Sequence, residues 1–176
     1  MSKEEKKAGS IVLIGFMGTG KSAVSAHLSR QFDLEKIEMD QLIEKREKKT
    51  IPQIFDRYGE QYFRERESQL LEELTQKQSV VVSCGGGVVL KEENRKRLKE
   101  IGTVVLLTAS GQTIYQRIKH NSDRPLLKKR MDQTAIEKML SERKEFYQAA
   151  ADLVVATDGK SIEEIGQEIG NLLDLQ

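Results

Sequence analysis

The chain alternates between two hydrophobic rhythms. Short apolar runs occupy residues 10–15 (SIVLIG), 79–83 (SVVVS), 103–107 (TVVLL) and 152–156 (DLVVA), with a weaker one at 36–40 (KIEMD). The first, apolar at successive positions and bounded by glycine, predicts a strand buried on both faces, and the others predict further strands. Between them apolar residues recur at helical spacing. Val24, Leu28 and Phe32 mark a helix over Lys21–Phe32, and similar patterns predict helices over 41–48, 52–58, 60–76, 92–100, 112–120 and Gln133–Ala150. Ser161 and Glu164 form a capping box at the start of a last helix, where Ile162, Ile165, Ile169 and Leu172 share one face. Five strands separated by helices predict an α/β fold, a five-stranded parallel sheet with helices on both faces.

Two segments break the alternation. Residues 1–9 (MSKEEKKAG) read as a polar arm, charged and without the apolar centre of a signal peptide. Residues 121–132 (NSDRPLLKKRMD) carry a proline and six charges and read as an exposed loop. The remainder, 10–176, is expected to be one domain. Composition then narrows the chemistry. Lys and Arg number 29 against 28 Asp and Glu, a net charge of +1, which does not indicate the basic face that nucleic acid requires. A single cysteine and two histidines exclude an intrachain disulfide and zinc-type ligand spacing, leaving oxygen ligands or a substrate to hold any metal. With no apolar run of about 18 residues, no membrane span is expected, and the expected compartment is the cytoplasm.

The first strand runs into Gly15-Phe16-Met17-Gly18-Thr19-Gly20-Lys21-Ser22, which fits G-x-x-x-x-G-K-[ST] between a buried strand and a helix. Glycines there let successive backbone N–H groups turn inward on a phosphate, and the helix N-terminus adds partial positive charge. Gly18, Thr19, Gly20, Lys21 and Ser22 are the expected nucleotide ligands, with Lys21 on the outer phosphates and Ser22 on Mg2+. In open α/β sheets, ligands gather at the carboxyl ends of the strands. Glu38 and Asp40 are expected to end the second strand there, Gly85-Gly86-Gly87 follow the third, and Arg64 lies on the helix between. A carboxylate, a cation and bare backbone amides suit a small, polar, anionic phosphoryl acceptor.

Taken in order, these motifs resemble those of the shikimate kinase family, from about Ile11 to the final helix. After the phosphate loop come Glu38-Met39-Asp40, then Gly59-Glu60-Gln61-Tyr62-Phe63-Arg64-Glu65-Arg66-Glu67, then Gly85-Gly86-Gly87. Arg124-Pro125-Leu126-Leu127 and Glu142-Arg143-Lys144-Glu145-Phe146-Tyr147 follow. The resemblance implies a P-loop kinase that uses Mg2+ and moves the ATP γ-phosphoryl group to the 3-hydroxyl of shikimate, on the route to aromatic amino acids. The expected partners are ATP and shikimate, and the expected state is a monomer. Asp40 matches the carboxylate that binds the acceptor hydroxyls, and it is open whether it also takes a proton. Arg64 and Arg143 match the pair that clamps the shikimate carboxylate, while the backbone of Gly85, Gly86 and Gly87 completes a pocket flanked by helices over 41–77. Arg124 matches the arginine on the transferring phosphoryl group, carried by a lid over 121–132. Arg117 matches the arginine that stacks on adenine, with Thr157 and Asp158 opposite, and Glu38 joins Ser22 at the metal. The nearest alternative is a related small-molecule kinase such as gluconate kinase. A nucleotide switch would need a guanine-reading N-K-x-D motif, which the sequence lacks.

Two positions depart from the family pattern. Glu38 stands where Asp is usual, and at about Lys48 a turn glycine is replaced. Several residues also have plainer readings. Asp40 suits an N-cap, Arg143 sits among Glu142, Lys144 and Glu145 as a helix-face charge would, and Arg66 reads as surface. Phe63 is expected to anchor the helix that aims Arg64. Cys84 reads as a small buried filler, and His27 and His120 have no partner at catalytic spacing.

Overall fold

The computed structural model describes residues 9–119 and 131–175. In chain order its elements are β1 (Ile11–Ile14), α1 (Lys21–Phe32), β2 (Glu35–Glu38), α2 (Met39–Glu47), α3 (Ile51–Leu74), β3 (Val80–Ser83) and a 3-10 turn at Val88–Leu90. There follow α4 (Glu92–Ile101), β4 (Thr103–Thr108), α5 (Gly111–Ile118), α6 (Gln133–Ala150), β5 (Leu153–Ala156) and α7 (Ile162–Leu172). The five strands form one wholly parallel sheet of order β2-β3-β1-β4-β5, the expected α/β fold. The chain leaves β1 toward one edge and returns past it to the other. A crevice therefore opens at the carboxyl end of β1, between the loops that follow β1 and β3.

Burial on both faces explains the uninterrupted apolar runs of β1, β3 and β4, whereas the edge strand β5 leaves Val154 and Ala156 exposed. Val12 and Ile14 of β1 pack with Met39, Leu70, Leu98 and Tyr147 from α2, α3, α4 and α6. Ile11 and Leu13 pack with Val24 and Leu28 of α1 and Ile165 and Ile169 of α7. A third cluster of Phe16, Met17, Ile114, Ile118 and Ile136 ties the loop after β1 to α5 and α6. Among the described residues, no helix is long and apolar enough to cross a membrane.

Four local expectations need correction. The second strand stops at Glu38, because Glu38 pairs with Ser83, the last residue of β3. Met39 and Asp40 have no ladder to join; they start α2 instead, which buries Met39 completely. Asp40 is thus a first-turn helix residue, and the N-cap is Glu38. Leu172 is 50% exposed, its expected place against the core being taken by Leu173 and Leu175 where α7 unwinds. Arg66 is half-buried, with its guanidinium 4.9 Å from the Tyr62 ring centroid.

The break between the two helices predicted over 52–58 and 60–76 is Gly59, at φ 83 and ψ 169 inside α3. That conformation is open to glycine and strained for other residues. Lys48 also has a positive φ, of 52, where it closes α2 by donating its N–H to Glu44 O. A side chain in this left-handed conformation is disfavoured, which gives a physical reason for a glycine there. Lys48→Gly should stabilise the fold by about 0.5–1 kcal/mol. Urea unfolding measures this, and a midpoint that stays put or falls contradicts it.

Candidate active site

The loop after β1 is organised around its own carbonyls. Thr19 Oγ1 donates to Phe16 O at 2.8 Å, and Lys21 Nζ donates to Gly15 O and Phe16 O at 2.8 and 2.9 Å. The lysine charge is thereby held over the loop it would serve. Gly20 caps α1 with no side-chain hydrogen bond, and no acidic residue occupies the first turn. Such a helix start favours an anion. Ser22 Oγ donates to Glu38 Oε2 at 3.1 Å, and Ser25 Oγ to Glu38 Oε1 at 2.9 Å. Ser22 and Glu38 are therefore brought together as expected, with Ser25 an unforeseen third member. Among the described residues, no group of three or more His, Cys, Asp or Glu gathers to hold a metal unaided.

The other rim of the loop is held by α5. Arg117 Nη1 donates to Gly18 O at 3.0 Å and to Thr157 Oγ1 at 3.1 Å, while Nη2 donates to Thr157 O at 3.3 Å. Asp158 accepts from Thr113 Oγ1 at 2.6 Å and from Ser110 N at 3.0 Å, and these hydrogen bonds hold its carboxyl below the ordinary range. Arg117, Gly18 and the 157–158 loop thus form one connected edge. Arg124 and most of the 121–132 segment lie outside the described residues, as does His120. Asp132 caps α6, accepting from Ala135 N at 2.8 Å.

Across the crevice, Cys84 N donates to Leu13 O at 3.1 Å, so the triglycine begins beside β1. Charged side chains from three helices lie against it. A Cβ on Gly85 would stand 2.8 Å from Asp40 Oδ1 and 3.0 Å from Glu67 Oε2, and one on Gly86 would stand 3.6 Å from Arg143 Nη1. A Cβ on Gly87 would overlap the Arg64 guanidinium. Asp40, Arg64, Arg143 and the three glycines are therefore together, as the motifs implied.

Arg64 is anchored through both of its terminal nitrogens. Nη1 donates to Glu67 Oε1 at 2.7 Å and Nη2 to Glu60 Oε1 at 3.2 Å. Its guanidinium lies 5.4 Å from the centroid of the Phe63 ring, which is buried and 5.2 Å from that of Phe55. Burial acts against the Arg64 charge, but Glu67 and Glu60 outweigh it. Glu67 is itself fully buried. Burial pushes its carboxyl up to about 7; Arg64 opposes the rise and Asp40 adds to it. Arg143 Cζ sits 5.7 Å from the centroid of the Phe16 ring. Four residues on, Tyr147 donates its hydroxyl to Gly86 O at 2.6 Å.

Sequence reasoning gave no role to Glu67, Tyr147 or Ser25. The available signal was spacing: Glu67 follows Arg64 by three residues, Tyr147 follows Arg143 by four, and Ser25 follows Ser22 by three, each on the same helix face. Cys84 is buried as expected, and burial pushes its thiol well above the usual range. His27 packs against Gly166 of α7.

Known proteins resemble this chain in sequence and in fold. The shikimate kinase family model matches residues 17–174. Shikimate kinases of Thermodesulfovibrio yellowstonii and Geobacter sulfurreducens are 38% and 42% identical to this chain. Those alignments cover 90% and 93% of this chain, and 91% and 90% of the relatives. The structure of shikimate kinase from Acinetobacter baumannii in complex with shikimate superposes with a TM-score of 0.90 at 33% identity, covering 98% of this chain and 97% of that one. A gluconokinase from Sinorhizobium meliloti, at TM-score 0.58 and 21% identity over 96% of this chain and 93% of its own, shares the fold alone. With a family match spanning nearly the whole described fold, and close relatives of the same length, the chain belongs to the shikimate kinase family.

Proposed function

We propose that this chain transfers the γ-phosphoryl group of ATP to the 3-hydroxyl of shikimate, releasing ADP and shikimate 3-phosphate for aromatic amino-acid synthesis. The observation that carries the reading is the pair of guanidinium groups, Arg64 on Gly87 and Arg143 beside Gly86, on a loop that starts next to the phosphate loop. Two fixed guanidinium forks match a carboxylate on the acceptor. Asp40, which lies against Gly85, is assigned to the acceptor hydroxyls. The gluconokinase likeness extends only to fold and does not favour gluconate.

Phosphoryl transfer asks a protein mainly for positioning and charge neutralisation. Lys21 exchanges the Gly15 and Phe16 carbonyls for the outer phosphates of ATP. Asp40 orients the 3-hydroxyl and can accept its proton as that oxygen bonds to the γ-phosphorus and the bond to the β-phosphate oxygen breaks. Arg117, fixed by Gly18 and Thr157, is assigned to adenine, and Arg124 to the transferring group. The donor set fits Mg2+: Ser22 Oγ and Glu38 Oε2 are oxygens 3.1 Å apart, and this ion keeps waters and phosphate oxygens among its ligands. When bound, Mg2+ offsets phosphate charge. The extra methylene of Glu38, relative to Asp, is accommodated because Ser25 holds its second oxygen.

An ADP-release assay over shikimate, quinate, gluconate and nucleoside monophosphates tests the acceptor, with turnover expected on shikimate; preference for another acceptor rejects the reading. Lys21→Ala should abolish transfer with an unchanged circular dichroism spectrum, and near-normal turnover would contradict the phosphate-loop assignment. Arg64→Ala and Arg143→Ala should each weaken shikimate binding by about 2–5 kcal/mol and leave ATP binding nearly intact. Calorimetry decides, equal losses for both ligands pointing to a structural role. Glu38→Gln should raise the Mg2+ concentration needed for half-maximal rate, and an unaltered magnesium titration removes Glu38 from the metal site.

A further inference from the structure

The acceptor site leaves two buried atoms unexplained, Arg64 Nε and one carboxylate oxygen of Glu67. Glu67 Oε1 receives Arg64, while Oε2 is buried with no hydrogen-bond partner among the described residues. Oε2 faces the Gly85 backbone on the same side as Asp40 Oδ1. A buried carboxylate oxygen without a donor is costly, and a proton on that oxygen removes the cost. The charged and titratable groups around it come from every neighbouring element. They are Arg64 on its own helix, with Glu60 sharing that guanidinium; Asp40 on α2; Lys91 ahead of α4; and Cys84 at the end of β3. Arg143 of α6 approaches the adjoining Gly86.

Under the acceptor reading above, the shikimate carboxylate arrives at the guanidinium that already serves Glu67. Two carboxylates then share the Arg64 guanidinium. Although Arg143 adds a cation for the acceptor, the incoming charge stands close to a buried carboxyl that has no other cation hydrogen-bonded to it among the described residues. Resting on that reading, we propose that shikimate binding is coupled to uptake of a proton by Glu67. Arg64 offers the acceptor carboxylate Nε, which has no partner among the described residues, and Nη2, which exposed Glu60 can give up, while Nη1 stays on Glu67 Oε1. Glu67 takes a proton from solvent on Oε2 and, as a neutral acid, can donate it toward Asp40. No covalent bond of shikimate changes, and the local charge is conserved: one carboxylate enters and one is neutralised. Burial has already brought this carboxyl to about 7 in the free protein, so the proton is accessible near neutrality. Because the bound state holds the extra proton, affinity is greatest below the carboxyl's pKa in the free protein. It falls as pH rises through and above that value, by up to about tenfold per pH unit.

Calorimetry of shikimate binding without nucleotide, in Tris and in HEPES at about pH 7.5, reads the proton directly from the difference in heats. A substantial fraction of one proton should be taken up, and Kd should weaken about tenfold between roughly pH 6.5 and pH 8.5. Glu67→Gln, which imitates the neutral acid, should abolish the uptake and flatten the pH profile. Wild-type binding without proton exchange overturns the proposal, whether or not the variant folds. So does a Glu67→Gln protein with the uptake of wild type. Full shikimate affinity in Arg64→Ala would instead reject the acceptor site itself. Weakened Arg64→Ala binding beside a proton-silent wild type removes only the coupling.

Discussion

Gly85, Gly86 and Gly87 leave room for four charged side chains against one short length of backbone. Those side chains come from separated parts of the chain: Asp40 from α2, Arg64 and Glu67 from α3, and Arg143 from α6. They can meet because α2, α3 and α6 all pack on the same face of the sheet, and because Cys84 is bonded to β1. A methyl group at Gly87 would displace the Arg64 guanidinium and thereby take from Glu67 its hydrogen-bonded cation. Steric space at the backbone is in this way a condition of the pocket's charge balance.

The Arg64–Glu67 pair also differs in kind from the ion pairs elsewhere. Arg46–Glu73 and Lys77–Glu35 lie in solvent, where such pairs contribute about 0–1 kcal/mol and serve stability little. Glu67 is wholly buried, so it loses hydration that Arg64 only partly replaces. Breaking such a pair from one side leaves a stranded charge and typically costs about 3–5 kcal/mol, yet the intact pair is weak evidence for net stabilisation. Its defensible role is positional: it fixes where Arg64 points.

Legibility in the sequence followed the range of the interactions involved. β1, β3 and β4 could be read because burial on both faces writes itself into consecutive residues, β5 from its apolar composition although it is a half-exposed edge strand, and α1 and α6 because their period is local. The end of β2 could not, since it is set by where β3 stops, and only the paired register of Glu38 with Ser83 reveals that. The phosphate loop was legible from one contiguous motif. Asp40, Arg64 and Arg143 were legible through the order of several weak motifs, though the stretch around Arg143 alone reads as an ordinary charged helix face. Glu67 and Tyr147 stood in plain view within those motifs without a role. What distinguishes them is burial, and burial of a charged or polar side chain on α3 or α6 depends on which other elements close over it.

The two ends of the crevice use different physics and meet at one residue. The phosphate end relies on backbone groups and a lysine that its own carbonyls hold in reserve. The proposed acceptor end relies on side-chain charges fixed by one another and by bare backbone. Phe16 belongs to both: its carbonyl accepts from Thr19 and Lys21, while its buried ring lies under the Arg143 guanidinium. The ring is further packed against Ile114 and Ile136, so it cannot be shortened without loosening α5 and α6 as well. The G-x-x-x-x-G-K-[ST] pattern permits any residue at that position. The requirement for a large aromatic there comes instead from the cation above it and the helices beside it.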